Sequence, residues 1–249
     1  MADRRVAIVT GATGVIGKAI ARGLAAAGFE LVLPVRDPAR ARGLPGRLEQ
    51  VDLSRRASIE RFAELWSGPL HVLINNAAEC PRRREETPEG IERQLATNVL
   101  GYLWMTLALE QALMASAPSR VILVASYWAG GLDLSDLEFK RRSYDNDAAY
   151  RQSKQANRMT AAALSERLAA RGVWVGSCHP GDVSSKLSDA LGFGGSQSAE
   201  QCADTPLWLA TAETPGPSGA YYASRHREDC RFCRDPEHVA ALYAALNAY

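Results

Sequence analysis

Lysine is scarce in this chain of 249 residues: it stands only at positions 18, 140, 154 and 186, and arginine carries nearly all of the positive charge. Basic and acidic residues almost cancel, leaving a formal net charge of +1, so no electrostatic field favours nucleic acid or an anionic membrane. Long apolar runs are missing. The first, residues 6–10, is too short for the hydrophobic region of a signal peptide. No later segment has the unbroken apolar length that a bilayer span requires. Cysteine is sparse and odd in number, five in all, which argues against a disulfide framework. Internal repeats and low-complexity linkers are absent as well. These absences leave a soluble, cytoplasmic protein with neither a nucleic-acid nor a membrane partner. A chain of this length with 47% hydrophobic residues can bury a sizeable core, and a single domain over 1–249 is expected.

What is present is an alternation. Strand-like apolar runs at 6–10, 30–35, 48–52, 71–75, 120–125 and 173–179 alternate with helical patterns at 17–27, 58–66, 91–115 and 147–171. Repeated βα units predict an α/β fold: one doubly wound Rossmann-type domain, a parallel sheet with helices on both faces. Three segments break the rhythm. Residues 82–90 are charged and read as a surface loop. Residues 128–146 form a long connection, and the Gly- and Ser-rich residues 186–199 read as a lid over a substrate site.

The first βα turn reads Thr10-Gly11-Ala12-Thr13-Gly14-Val15-Ile16-Gly17. Glycines between a strand and a helix permit a tight turn and let the backbone approach a pyrophosphate at the helix N-terminus. At the end of the second strand a carboxylate would hold a ribose 2′-hydroxyl and repel a 2′-phosphate. The chain instead has Val35-Arg36-Asp37, roughly 20 residues past the glycine turn, and Arg36 offers a planar cation suited to phosphate. NADP(H) is therefore the expected cofactor. Asp37 either caps the following turn or faces the ribose. Asp52, with Leu53 after the third strand, either accepts from an adenine amino group or caps a helix.

Tyr150 and Lys154 stand four apart, on one face of a predicted helix, with Ser126 upstream at the end of an apolar run. A lysine ammonium beside a phenol favours the phenolate, so the pair predicts a tyrosine pKa lowered toward neutrality. A serine hydroxyl nearby can hold a carbonyl oxygen against that phenol, which makes the trio a proton donor or acceptor for carbonyl chemistry. At the C-terminal end His226, Cys230, Cys233 and His238 have the spacing H-x3-C-x2-C-x4-H. Free thiols in a surface loop, a zinc knuckle and a reversible Cys230–Cys233 disulfide all fit that spacing, and no metal site is assigned.

Taken in order, these motifs resemble the short-chain dehydrogenase/reductase family over nearly the whole chain. Ser126, Tyr150 and Lys154 match its catalytic positions, and Asn98, in Thr97-Asn98-Val99-Leu100-Gly101, matches the asparagine that holds a proton-relay water. Asn75-Asn76-Ala77-Ala78 is similar to the family's N-N-A-G segment, with Ala78 in the glycine place. His179-Pro180-Gly181-Asp182-Val183-Ser184-Ser185 is similar to P-G-x-V-x-T beside the nicotinamide. The glycine turn departs from the family's usual T-G-x-x-x-G-x-G: Val15 occupies the middle glycine place. Asp136-Leu137-Glu138, the segment from Ala149 to Asn157, and Ser218-Gly219-Ala220-Tyr221-Tyr222 resemble the retinol-dehydrogenase-like branch.

The resemblance implies cofactor contacts from Gly11, Thr13, Gly14, Val15, Ile16, Gly17, Arg36, Asp52, Leu53, Asn76, Ala77, Ala78, Tyr150, Lys154, Pro180, Gly181, Val183 and Ser185. It implies NADPH-dependent reduction of a ketone or aldehyde on a small apolar or aromatic molecule. Tyr127, Trp128, Leu187 and Phe193 are candidate wall residues for that substrate. A C=C reductase or dehydratase on the same scaffold, or a non-catalytic NADP sensor, are the alternatives. A homodimer or homotetramer follows by analogy.

Overall fold

The computed structural model describes residues 5–249. One sheet holds β1 (Val6–Val9), β2 (Glu30–Val35), β3 (Arg47–Gln50), β4 (Val72–Asn75), β5 (Ser119–Val124), β6 (Val173–Cys178), β7 (Tyr221–Ala223) and β8 (His226–Glu228), in the order β3-β2-β1-β4-β5-β6-β7-β8. All neighbours from β3 to β7 run parallel. The expected parallel sheet is observed, with one antiparallel addition at its edge, where β8 pairs with β7 in a hairpin.

The sheet is apolar on both faces, as strands covered on both sides must be. Along β5 the side chains alternate: Val121 and Leu123 join one core, Ile122 and Val124 the other. The first core packs under α2 (Arg56–Glu64), α4 (Gly101–Ala108), α6 (Asn146–Leu168) and α9 (Pro236–Asn247), through Phe62, Leu103, Leu164 and Leu242. The second packs under α1 (Val15–Ala26) and α8 (Ala199–Thr211), through Ile20, Leu24 and Leu209. The remaining helices are α3 (Arg93–Leu95), α5 (Glu110–Ala115) and α7 (Lys186–Ala190). Among the described residues no helix is long and apolar enough to cross a membrane.

The expected continuous helix at 91–115 is broken. After α3 the chain makes a π-helical turn over Ala96–Leu100, resumes as α4, and breaks again at Leu109 before α5. Every residue from Gln94 to Thr106 is buried. A stretch apolar all round shows no amphipathic face, so its phase is invisible in the sequence. π-turns of this kind recur at functional sites.

Residues 128–145 carry neither helix nor strand, yet they are anchored. The Asp136 carboxylate accepts from the backbone N–H groups of Lys140, Arg141 and Arg142 at 2.8, 3.1 and 3.1 Å. Arg84, in the charged 82–90 loop, donates to the Glu138 carbonyl at 2.9 Å, and the Glu138 carboxylate accepts from the Glu92 N–H at 3.1 Å. Two segments that read separately as loops are thus fastened to each other beside the sheet. On β1 the strand order reverses: β2 and β3 lie to one side, β4 to β7 to the other. The crevice at such a reversal, above the carboxyl ends of the strands, is where ligands bind in open α/β sheets.

Candidate active site

A cleft of about 410 Å³ occupies that crevice, running from Arg36 past the glycine turn to Ser126, Tyr150 and Phe193. Gly11 has φ of +67°, and a Cβ there would lie 2.7 Å from Ala77 Cα. A Cβ on Gly17 would overlap the Gly11 carbonyl oxygen and approach Asn76 Nδ2 to 2.8 Å. Glycine is therefore required where the turn touches the segment after β4. Asn76 fixes this contact: its Nδ2 donates to the Thr10 carbonyl at 3.0 Å, and its N–H donates to Thr10 Oγ1 at 2.9 Å. Gly14 is the N-cap of α1 and supplies no side chain to it, and the first turn has no acidic residue. The orphan N–H groups of α1 face the cleft, which suits a pyrophosphate. Val15, in the place of the family's glycine, is part of the cleft wall and exposed, so the departure costs no space.

At the adenosine end, Asp37 accepts from the Ala39 N–H at 3.0 Å and caps the short 3₁₀ turn after β2. The capping alternative for Asp37 is the one observed. Asp52 accepts from both the N–H and the hydroxyl of Ser54, at 3.0 and 2.7 Å, in a local turn, while still lining the cleft beside Leu53. Arg36 lines the cleft and pairs with Glu79. The glycine contacts, the open N-terminus of α1 and Arg36 together fit a phosphorylated dinucleotide.

Ser126 follows β5, and Tyr150 and Lys154 lie in the first turns of α6, which Asp145 caps by accepting from the Ala148 N–H at 2.7 Å. Ser126 and Tyr150 both line the cleft, and the Ser126 hydroxyl acts to lower the Tyr150 pKa. Lys154 is buried, donates from Nζ to the Val124 carbonyl at 2.9 Å, and sits 5.5 Å from the Tyr150 ring centroid. The expected lowering of the tyrosine pKa by this lysine is corrected. Burial raises the Tyr150 pKa, opposed mainly by the neighbouring Ser126 hydroxyl, and burial pushes Lys154 down to about 7. Desolvation is the largest influence on both groups.

Of the expected site residues, the cleft wall gathers the glycine turn, Arg36, Asp52, Leu53, Asn76, Ala77, Ala78, Ser126, Tyr150, Lys154, Pro180, Gly181, Val183 and Ser185. Ser185 also caps α7, in a reciprocal box with Ser188. Asn98 stands apart. It lies in the π-turn behind the wall, and its amide clamps the Glu79 peptide, accepting from the N–H at 2.8 Å and donating to the carbonyl at 2.9 Å. Its side chain is thus spent on positioning rather than presented to the cleft.

At the substrate end, Trp128 and Phe193 meet with ring centroids 4.4 Å apart, and Leu187 lies beside them on the wall. Tyr127 is corrected: it does not line the cleft, is exposed, and packs edge-on against the wall residue His179 with centroids 4.7 Å apart. The wall residues given no role of their own by the sequence reading include His179 and Glu79. His179 has a buried Nδ1 with no partner, and burial holds its pKa down to about 4. Glu79 directly follows Asn75-Asn76-Ala77-Ala78, and that adjacency was the available signal. Away from the cleft, the Cys230 and Cys233 sulfurs lie 2.6 Å apart. Among the described residues no group of three or more His, Cys, Asp or Glu side chains gathers into a metal-holding cluster, so His226 and His238 do not complete a zinc knuckle with them.

The sequence profile of the family described as short chain dehydrogenase matches residues 5–192. Mouse retinol dehydrogenase 13 is 37% identical over 76% of this chain and 61% of its own length. Mouse polyprenol dehydrogenase is 35% identical over 96% of this chain and 82% of its own. The chain spans about two thirds of the length of the first curated relatives it matches, 66% for a Streptomyces antibioticus oxidoreductase. An uncharacterised protein from Mycobacterium Paratuberculosis superposes with a TM-score of 0.82 at 29% identity, over 98% of this chain and 92% of that one. A Beutenbergia cavernae protein solved with NADP at low occupancy superposes with a TM-score of 0.70 at 26% identity, over 88% of this chain and 94% of that one.

Proposed function

The chain belongs to the short-chain dehydrogenase family, in the retinol-dehydrogenase-like branch, and from that premise we propose that it is an NADPH-dependent reductase of ketones or aldehydes on small apolar or aromatic molecules, acting as one domain over 1–249. The observation that carries the reading is that Ser126, Tyr150 and Lys154 line the same cleft as the glycine turn and Arg36. The bound nicotinamide supplies the hydride. Arg36 takes the 2′-phosphate, and the open N-terminus of α1 takes the pyrophosphate. The NADP-bound Beutenbergia relative supports this assignment.

The protein's own part is placement and proton transfer. Ser126 Oγ orients the carbonyl oxygen toward the Tyr150 hydroxyl. Because burial raises its pKa, Tyr150 stays protonated at neutral pH, which is the form that can give a proton to a developing alkoxide. Lys154, titrating near neutrality within reach of the same ring, stabilises the phenolate left behind when it carries its proton. Trp128, Phe193 and Leu187 exclude water and favour an apolar or flat substrate.

The test is loss of NADPH absorbance, in parallel with NADH, over a panel of apolar ketones, quinones and aldehydes, with the alcohol product identified by mass. Tyr150→Phe should lower turnover by about a hundredfold or more. Undiminished turnover in that variant would overturn the assignment.

A further inference from the structure

Glu79 is held through both its backbone and its carboxylate. The Asn98 amide clamps its peptide on both sides, at 2.8 and 2.9 Å. Its carboxylate is divided between two arginines: Oε1 pairs with Arg36, and Oε2 accepts from Arg93 Nε at 2.8 Å. The Glu79 side chain is only 18% exposed, while that of Arg36 is 57% exposed. Both residues line the cleft. A mostly buried anion with two arginine partners therefore pairs with a mostly exposed cation on the cleft wall.

We propose that the Glu79 carboxylate competes with the cofactor's 2′-phosphate for the Arg36 guanidinium, and is thereby a specificity-determining residue that limits the preference for NADPH over NADH. This rests on the reading above that Arg36 takes the 2′-phosphate. The phosphate must share or displace the Glu79 contact and sit near its negative charge. The carboxylate is not stranded when Arg36 leaves, because Arg93 keeps it paired. A cofactor with a 2′-hydroxyl meets no such competition, and a carboxylate can accept from that hydroxyl.

The experiment is titration of NADPH and of NADH into the cofactor-free protein by calorimetry, for the wild type, Glu79→Gln, Arg36→Met and the double variant. Glu79→Gln should tighten NADPH about threefold to fivefold, the effect of releasing one partly exposed ion pair, with NADH unchanged or weaker. In the Arg36→Met background the gain should vanish. Glu79→Asp, one methylene shorter, should shift NADPH in the same direction and serves if the glutamine variant does not fold. If Glu79→Gln leaves NADPH binding unchanged or weakens it while Arg36→Met still weakens it, Glu79 merely pre-orders Arg36 and the inference fails alone. If Arg36→Met leaves NADPH binding unchanged, the reading of Arg36 fails and takes the inference with it.

Discussion

Replacing Lys154 by methionine should change how stability depends on pH, and the structure gives the size of the change. Lys154 is fully enclosed, and its ammonium finds only the Val124 carbonyl. Burial lowers its pKa from 10.5 to about 7. Below about pH 7 both folded and unfolded chains hold the proton, and the residue adds no slope. Between about pH 7 and the ordinary lysine value, the unfolded chain keeps a proton that the folded chain has lost. Stability must then rise with pH, by about 1.4 kcal/mol per pH unit. From about pH 7 to about pH 9, wild-type stability should climb by about 2 to 3 kcal/mol more than that of Lys154→Met. Urea unfolding of both cofactor-free proteins across that range measures it. The variant also leaves the Val124 carbonyl without its donor, but that offset is independent of pH and cancels in the difference of slopes. Parallel pH curves for the two proteins would refute the reasoning.

Two other outcomes follow from particular contacts. Gly17→Ala should gain a little helix propensity yet lose about 1 to 3 kcal/mol net, because its Cβ meets the Gly11 carbonyl and Asn76; thermal melting checks this, and an unchanged or raised Tm would contradict it. Cys230 should be the first thiol alkylated at neutral pH. A hydrogen bond from Cys233 holds its pKa down, whereas burial pushes Cys178 up to about 12 and Cys202 to about 11. Peptide mass mapping after limiting iodoacetamide reads the order, and faster labelling of Cys80, Cys178 or Cys202 would overturn it.

The parts of the molecule legible in the sequence are those whose signals are local. The central strands are continuous apolar runs between turn residues, and the glycine turn, Tyr150 and Lys154 carry fixed spacings. The unread parts depend on distant partners. β7 and β8 are three residues each, too short to show alternation. α8 contains Pro206, which argues against a helix, although its start is marked by the reciprocal Ser198–Gln201 cap. Asp235-Pro236 likewise announces α9, as an N-cap followed by proline in the first turn. The protonation of Tyr150 was misjudged because spacing reveals that Lys154 is near but not that both are desolvated. Glu79 was missed because nothing in its own neighbourhood foretells Arg36 and Arg93, which come from other elements.

The π-turn at Ala96–Leu100 has one further consequence. It works as a phase shifter within a single rod of helix. On its near side Gln94 reaches the Tyr144 hydroxyl at 2.9 Å, and within the turn itself Asn98 grips Glu79. On its far side Thr106 accepts from Asn75 at 3.2 Å, and the Tyr102 ring faces Lys154 Nζ at 5.6 Å. An uninterrupted α-helix links the azimuths of these two groups rigidly, at about 100° per residue. The extra residue decouples them, so the loop-facing half and the sheet-facing half are each aimed independently. Deleting one residue between 96 and 100 would restore regular winding and swing one half by about 100° relative to the other. The cleft would then lose either the clamp on Glu79 or the aromatic neighbour of Lys154, even though every site side chain was still present.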